Sequence, residues 1–329
     1  MKQITLIKAV SIIHNVRFGG LPTHYPSVAA WNRIPLTRKT EASRWKKTLS
    51  EYPGRGIGLY LNIPFCRAKC GFCFLDVRGG AGLAEYERYV SAVEAEIAFL
   101  SPLFSGRTVS SVYIGGGTPN VLPAFLLKRI VSCVRSGFSL LPSAQISMEA
   151  NPDFFDEEKL SALHKCGVNM LMLGIQSFSS SVNAANGRVQ DVSRIKDVFR
   201  MIRSSGIKFL NADLLCGLNG QTRASFLHDV VSLSGLRPNQ IHLNRIKPHS
   251  GPLPPELKRE LSACRTEPAA GAFLRGRIST RSAAVLTALK IRLPICRVRL
   301  WKGLTCGPET KYIRRCRARF LLAQGFIYS

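Results

Sequence analysis

Short apolar runs alternate with longer amphipathic segments between about residues 57 and 248. The runs are typical of buried β-strands, and we expect six of them: Ile57–Ile63, Ser111–Ile114, Gln145–Ala150, Asn169–Ile175, Ile207–Asp213 and Gln240–Arg245. The amphipathic segments predict five helices: Leu83–Leu100, Pro123–Val134, Asp156–Lys165, Asp191–Ser204 and Arg223–Ser234. This regular order predicts an α/β protein.

The alternation also predicts how the strands connect. A helix between consecutive strands implies a parallel sheet with right-handed crossovers. Such a sheet is either flat and open or curved into a partial barrel, and in both arrangements ligands bind at the carboxyl ends of the strands.

The two ends of the chain have a different pattern. Residues 1–56 contain four prolines and a basic run, which predicts a loosely structured N-terminal lead-in. After Gly251 the strand–helix alternation stops and arginines are mixed with short apolar pieces. We therefore divide the chain into a lead-in (1–56), a core domain (57–250) and an irregular basic segment (251–329).

The chain is strongly basic. It has 329 residues, with 46 Lys+Arg against 20 Asp+Glu and a formal net charge of +26. From Gly251 onward the ratio is 16 to 4, but aromatic residues are sparse there and no nucleic-acid-binding motif is present. We therefore do not expect nucleic acid to be the partner.

The N-terminal residues and the cysteines indicate the compartment. The apolar stretch Met1–Phe18 is interrupted by Lys8, which makes it too short for a membrane span and unlike a secretory signal. Ten cysteines are present, and three of them fall within eight positions, a crowding typical of a metal site in a reducing compartment. We expect a cytoplasmic protein without a membrane span.

The three crowded cysteines are Cys66, Cys70 and Cys73, directly after the first expected strand. Cysteines that serve only as small buried apolar residues are not expected three at a time in a polar loop. A zinc site normally takes four ligands in two pairs, and no second close pair lies nearby. Three thiolates instead suit a cubane iron–sulfur cluster whose fourth iron remains open to a ligand.

Further blocks at the expected strand ends make the resemblance specific. They occur in the order Tyr60–Cys66, Tyr113–Asn120, Ser147–Asp153, Gly174–Phe178 and Asp213–Thr222. With the Cys-x3-Cys-x2-Cys loop, they resemble the radical S-adenosylmethionine (SAM) superfamily, and within it the oxygen-independent coproporphyrinogen III oxidase family and its relatives. The resemblance covers residues 57–248 and implies a partial (β/α)6 barrel of the TIM type.

The resemblance implies the cofactors and the reaction. Cys66, Cys70 and Cys73 would hold a [4Fe–4S] cluster, which would reduce SAM to methionine and a 5′-deoxyadenosyl radical with an electron from a flavodoxin or ferredoxin. The substrate of the family is a tetrapyrrole, and its reaction is oxidative decarboxylation of coproporphyrinogen III. The SAM contacts implied by the resemblance are Tyr60, Gly116, Gly117, Thr118, Glu149, Gln176, Arg188 and Asp213. Phe72 either contacts a second SAM molecule or shields the cluster from water.

Several of these residues also have a structural interpretation. Glu149 and Asp213 end apolar strands, so their charge needs a partner, which is a ribose hydroxyl, a sulfonium, a protein cation or a helix N-terminus. The glycines before Thr118 either admit a ligand or form an ordinary turn. Arg188 either neutralises a cofactor carboxylate or lies on the surface. His242 and His249 flank the last expected strand, where one of them could reach a substrate or a haem iron.

Two departures from the family pattern keep alternatives open. The decarboxylase carries a further cysteine two residues after the third ligand, and here that position is Leu75. Its absence is typical of haem-chaperone relatives, which bind haem, and of the radical SAM C-methyltransferase branch. Residues 251–329 align with nothing in the family and are expected to be a truncated or degenerate substrate domain.

Overall fold

The structure is a computed structural model that describes residues 37–51 and 56–246. Most of the expected lead-in, the basic segment 251–329 and His249 lie outside the described residues. The described core contains every block that carries the resemblance.

Six parallel strands form the main sheet. A separate two-stranded sheet, β2 with β3, lies in the loop after the first strand. The strands in chain order are β1 (Ile57–Ile63), β2 (Phe65–Cys66), β3 (Arg78–Gly79), β4 (Thr108–Gly116), β5 (Ser139–Ala150), β6 (Met170–Gln176), β7 (Phe209–Cys216) and β8 (Gln240–Arg245). The order across the main sheet is β1-β4-β5-β6-β7-β8, with every neighbouring pair parallel. The predicted α/β class with six parallel strands is confirmed.

Seven α-helices are described. In chain order they are α1 (Arg38–Glu51), α2 (Leu83–Leu100), α3 (Ala124–Gly137), α4 (Glu157–Lys165), α5 (Ser180–Ala185), α6 (Ile195–Ser204) and α7 (Arg223–Gly235). Five of them correspond to the predicted helices, with ends that differ by a few residues. None of the described helices is both long and apolar enough to span a membrane.

Helix α1 corrects the prediction for the N-terminal lead-in, since residues 38–51 are helical and not loose. Trp45 is the buried residue of this helix, and its ring meets Phe104 edge-on with the ring centroids 4.9 Å apart. Leu49 also packs, partly buried, against the core, but most of the helix is polar, so it lacks the continuous apolar stripe from which helices are recognised in a sequence. Helix α5 was also not predicted, because its six residues are too few to show a period.

Side chains alternate along the strands between two environments. One row is apolar and fully buried among the helices, as Ile114, Met148 and Leu173 show. The residues between them include Tyr113 and Glu149, which are only partly buried. Parallel strands covered on both faces normally read as continuous apolar runs. The alternation therefore indicates an inner face that is polar and open, as in a barrel that is not filled by a second core.

A buried carboxylate fixes the turn that follows β6. Asp229 on α7 is fully buried and accepts hydrogen bonds from the Ser177 hydroxyl at 2.8 Å and from the Phe178 amide at 2.7 Å. Burial raises the pKa of Asp229, although these two hydrogen bonds act to lower it. The contact ties a covering helix to the residues directly after the β6 strand end.

We predict that Asp229→Ala destabilises the protein, because two buried donors lose their acceptor. The expected loss in the free energy of unfolding is about 2–4 kcal/mol. The matched control is Asp197→Ala on α6, where an exposed carboxylate pairs with Arg200 and the expected change is below about 1 kcal/mol. Denaturant unfolding of the full chain measures both. Equal effects of the two substitutions would contradict the role assigned to Asp229.

Candidate functional site

The cysteine loop begins where β1 ends and is anchored at several points. The Arg78 amide donates to the Pro64 carbonyl at 2.7 Å, which closes the loop on itself. The Gly71 amide donates to the Asn186 carbonyl at 2.8 Å, so the loop is fastened to the segment that follows α5. A Cβ at position 71 would lie 3.4 Å from that carbonyl oxygen, which is an ordinary van der Waals contact, so the hydrogen bond and not a shortage of space fixes the loop here. The loop is therefore closed on itself and fastened to the segment after α5.

The three thiols of this loop influence one another. Burial raises the pKa of Cys66, and the neighbouring Cys73 and Cys70 add to the rise. Burial also raises the pKa of Cys73. The Cys66 sulfur lies 3.2 Å from the Thr118 hydroxyl, which favours the thiolate. As thiolates, these three partly buried sulfurs would repel one another and would be stabilised by positive charge between them.

The number and kind of these side chains bear on the metal that they could hold. Structural zinc sites normally take four ligands. The loop offers three cysteines, all partly exposed. Three thiolates are the donor set of a cubane iron–sulfur cluster, with one for each of three of its irons. The residues present therefore fit such a cluster.

Arg188 supplies positive charge beside the thiols. Its guanidinium lies 3.9 Å from the Cys70 sulfur, donates to the Gln190 amide oxygen at 2.6 Å, and donates to the Gly174 carbonyl. Burial lowers the pKa of Arg188, and the nearby Cys70 opposes that effect. A desolvated guanidinium is stable only beside an anion, and thiolates or a ligand carboxylate provide one. The surface interpretation of Arg188 does not fit these contacts.

The glycine run at the end of β4 packs against its own neighbours. A side chain at Gly116, where φ is +108°, would come within 2.2 Å of the Asn62 amide oxygen. One at Gly117 would come within 2.6 Å of the Phe65 carbonyl and 3.1 Å of the Cys66 sulfur. The glycines thus let the β4 end approach the cysteine loop. Their predicted contact with SAM stays a prediction.

Gln176 at the end of β6 is in an unusual conformation. Its φ of +67° is one that non-glycine residues rarely adopt, and its buried side-chain oxygen has no hydrogen-bond partner. Both features cost free energy in the protein alone. An unpaired buried acceptor at a strand end is the position expected for a residue that receives a hydrogen bond from a ligand.

A tyrosine pair and a carboxylate lie on the inner face. The Tyr60 and Tyr113 rings are stacked, with centroids 5.7 Å apart and planes at 16°. The Tyr113 hydroxyl donates to one Glu149 oxygen at 2.5 Å, and the Gly116 amide donates to the other at 3.1 Å. Burial raises the pKa of Glu149 to about 7, and nearby Asp213 contributes to that rise. Glu149 is therefore poised between its two protonation states near neutral pH.

Asp213 has a protein partner. Its carboxylate lies 2.9 Å from Nδ1 of His242 on the adjacent strand β8, with which it is in register. The interpretation of Asp213 as a member of an internal pair is thereby supported, and His242 faces a carboxylate. Phe72 packs against the small apolar cluster of Val182, Leu218 and Ile246, which favours a packing role; its contact with a second SAM molecule stays a prediction.

A second layer of polar contacts holds two strand ends together. Asn120, after β4, donates to the Asn151 carbonyl at 2.8 Å and accepts from the Asn151 amide at 2.9 Å. The buried Lys159 of α4 donates to the Asn120 carbonyl at 2.8 Å and to the Phe154 carbonyl at 2.9 Å. Burial lowers the pKa of Lys159. These bonds fix Thr118 relative to the end of β5.

The sequence did not single out Tyr113, Lys159 or Asp229. Tyr113 lies two positions before Gly115, so the two-residue period of a strand places both residues on the same face of the sheet. The sequence could therefore have indicated that Tyr113 faces the same side of the sheet as Gly115. The buried Lys159 and Asp229 contact segments far away in the chain, and nothing local in the sequence distinguishes them from surface charges.

Comparison with known proteins agrees with this geometry. Residues 61–231 match the Radical SAM superfamily. The chain is 35% identical over 191 residues to the oxygen-independent coproporphyrinogen III oxidase of Paracoccus denitrificans, covering 58% of this chain and 42% of that protein. It is 32% identical over 258 residues to the enzyme of the same name from Bradyrhizobium diazoefficiens, covering 74% and 56%. The chain thus spans about half the length of the curated relatives it matches.

A solved structure supports the same relationship. The coproporphyrinogen III oxidase of Escherichia coli, described as a radical SAM enzyme, matches with a TM-score of 0.63 and 28% sequence identity. The match covers 73% of this chain and 54% of that one. The six-stranded parallel sheet is therefore a partial barrel of the radical SAM type. The cofactors of the radical SAM superfamily are a [4Fe–4S] cluster and S-adenosylmethionine. Because the match to this superfamily covers more than half of this chain, the chain belongs to the radical SAM superfamily.

Proposed function

We propose that this chain is a radical SAM oxidoreductase that acts on a tetrapyrrole, with oxidative decarboxylation of a propionate side chain as in its relatives named coproporphyrinogen III oxidase. The supporting observation is the convergence of the three-thiol loop, Arg188 and the strand-end carboxylates at one end of the sheet. The proposal includes an external one-electron donor of the flavodoxin or ferredoxin type and a cytoplasmic location.

In this proposal Cys66, Cys70 and Cys73 hold the cluster. When bound, the cluster and SAM together supply one-electron chemistry that leads to hydrogen abstraction from a substrate. The role of the protein is to bind, orient and exclude water. Arg188 neutralises negative charge beside Cys70, and Thr118 donates toward the Cys66 sulfur or accepts from it. Phe72 closes the side of the loop that packs on the apolar cluster of Val182, Leu218 and Ile246.

The other residues orient the ligand. Gln176 offers an unpaired acceptor, and the inner face offers the carboxylates of Glu149 and Asp213. Arg188 donates to the Gly174 carbonyl, and Gly174 is in register with Asp213. A cation therefore lies against β6, and the two carboxylates lie on the strands that flank β6. A ligand with both a carboxylate and a sulfonium would have its carboxylate favoured beside Arg188 and its sulfonium favoured beside Glu149 and Asp213.

A second candidate function follows from Leu75. The position that holds a further cysteine in the decarboxylase is occupied by a leucine here. Haem-chaperone relatives share that feature, so binding and delivery of haem is the alternative, and radical C-methylation is a third possibility. All three share the cluster and SAM, and they differ in the product.

We predict that Cys66→Ala, Cys70→Ala and Cys73→Ala each abolish cluster binding. After anaerobic reconstitution the full chain should hold about four irons, and each variant close to none. Cys133→Ala, which changes a half-buried thiol on α3 outside the loop, is the matched control and should keep its iron. Iron analysis and visible absorption measure the outcome. A Cys70→Ala variant that retains as much iron as the control would refute the assignment.

We predict that Asp213→Asn weakens SAM binding by about 10-fold or more and leaves the iron content unchanged, because it removes a charge that faces the ligand. Asp197→Asn on α6 removes an exposed carboxylate and serves as the control. Calorimetric titration of the reconstituted protein with SAM reports the affinity. Equal affinities in the two variants would show that Asp213 only stabilises β8 through His242.

The substrate is tested by product analysis. We expect the reconstituted protein, given SAM, a one-electron reductant, an electron acceptor and coproporphyrinogen III, to yield carbon dioxide, 5′-deoxyadenosine and a product lighter by one carbon dioxide and two hydrogen atoms for each propionate converted to a vinyl group. A tightly bound haem with no change in the porphyrinogen would instead establish the haem-binding alternative. A product heavier by one methyl group would establish the methyltransferase.

A further inference from the structure

Tyr113 contacts two of the residues expected to bind the cofactor. Its ring stacks on Tyr60, and its hydroxyl is bonded to Glu149. We propose that Tyr113 is a positioning residue of the SAM site, which orients the Glu149 carboxylate toward the ligand and keeps it in the charged, ligand-accepting form. This inference rests on the proposed function of Glu149 and gives a role to Tyr113, which begins the Tyr113–Asn120 block but is not among the SAM contacts that the resemblance implies.

Both hydrogen bonds described for the Glu149 carboxylate come from residues of β4. Tyr113 and Gly116 each donate to one of the two Glu149 oxygens, at 2.5 Å and 3.1 Å. Between them, a side chain at Gly115 would come within 2.7 Å of the Tyr113 ring and 3.1 Å of the Glu149 carboxyl. The absent side chain at position 115 is therefore what allows Tyr113 to reach Glu149. Three residues of one strand act together on a side chain of the next.

The Tyr113 hydroxyl helps to determine whether Glu149 is charged, because its hydrogen bond acts to lower the pKa of Glu149. Burial disfavours its charged form, and Asp213 on β7 adds like-charge repulsion. Asp213 is itself paired with His242 on β8. Only the Tyr113 hydroxyl and the Gly116 amide favour the carboxylate among the groups found to act on it within the described residues. Burial and the nearby Glu149 also raise the pKa of Tyr113, so this hydroxyl remains a donor over the working pH range.

Tyr113→Phe tests this inference, because it removes the hydroxyl and keeps the ring that stacks on Tyr60. We expect the pKa of Glu149, about 7 in the unmodified chain, to rise by about one pH unit. Infrared titration of the reconstituted full chain without SAM follows the carboxylic acid band that is lost in Glu149→Gln. The matched control is Tyr60→Phe, which removes the hydroxyl of the stacked ring, 3.5 Å from the Asn62 amide oxygen. It should leave the Glu149 titration unchanged.

The affinity for SAM should follow the same titration. A group with a raised pKa is ionised only as the pH rises, so binding to the carboxylate should strengthen through pH 7 in the unmodified chain and about one pH unit later in Tyr113→Phe. At pH 7 the variant should bind SAM roughly fivefold more weakly, and at pH 9 nearly as well as the unmodified chain. In the Glu149→Gln background, Tyr113→Phe should cause no pH-dependent change.

The outcomes separate the two proposals. An unshifted Glu149 titration in Tyr113→Phe, in a variant that holds its iron, would overturn the inference. A shifted titration in a protein that does not bind SAM at any pH would support the action of Tyr113 on Glu149 and overturn the proposed cofactor site. Affinity lost equally at pH 7 and pH 9 would show a merely structural role and would also overturn the inference.

Discussion

The site depends on the parallel register of the six strands. Because all strands run in one direction, the segments that follow β1, β4, β5, β6 and β7 meet at one edge of the sheet. The cysteine loop, the glycine turn, Glu149, Gln176 and Asp213 lie far apart in sequence and are neighbours only through this register. The helices cover the outer apolar row completely, which leaves the inner row free to carry polar groups. Polar side chains in that row then have to be satisfied by one another or by a ligand.

That requirement explains why the mouth of the barrel is braced by polar contacts. Asp229 holds the turn after Gln176, and Lys159 with Asn120 holds the turn after Thr118. Each brace runs from a covering helix, or from the neighbouring strand end, to the residue beside a site position. If one partner of such a contact were removed, the other would be a buried polar group without a hydrogen bond. These contacts therefore hold the two turns in one conformation. Gln176 departs from this pattern, since its side-chain oxygen is buried without a partner while the segment around it is fixed; among the described residues the Asn183 oxygen and the Gln190 amide nitrogen are also unpaired.

Much of this could be predicted from the sequence. The positions of β1, β8 and α2 follow from local apolar periodicity, and the cysteine spacing with the strand-end blocks was sufficient to recognise the superfamily. Helix α1 escaped prediction because two apolar side chains, the buried Trp45 and the partly buried Leu49, attach a mostly polar helix to the barrel. The pairing of Asp213 with His242, and the burial of Asp229 and Lys159, depend on which strands and helices become neighbours. Patterns among residues that are close together in the sequence carry no information about such pairs.

The order of charges around the inner face limits what the barrel can hold. Arg188 lies beside the Cys70 thiol and donates to Gly174 on β6, while Glu149 and Asp213 lie on β5 and β7, the two strands that flank β6. Burial raises the pKa of Glu149 to about 7, and the like charge of the nearby Asp213 adds to that rise, so the charged form of Glu149 is costly in the protein alone. A ligand that brings positive charge to this side relieves the repulsion, while an anionic ligand adds to it. In the proposed function, the negatively charged propionates of a tetrapyrrole are therefore disfavoured beside these carboxylates, and the cationic part of a ligand is favoured there.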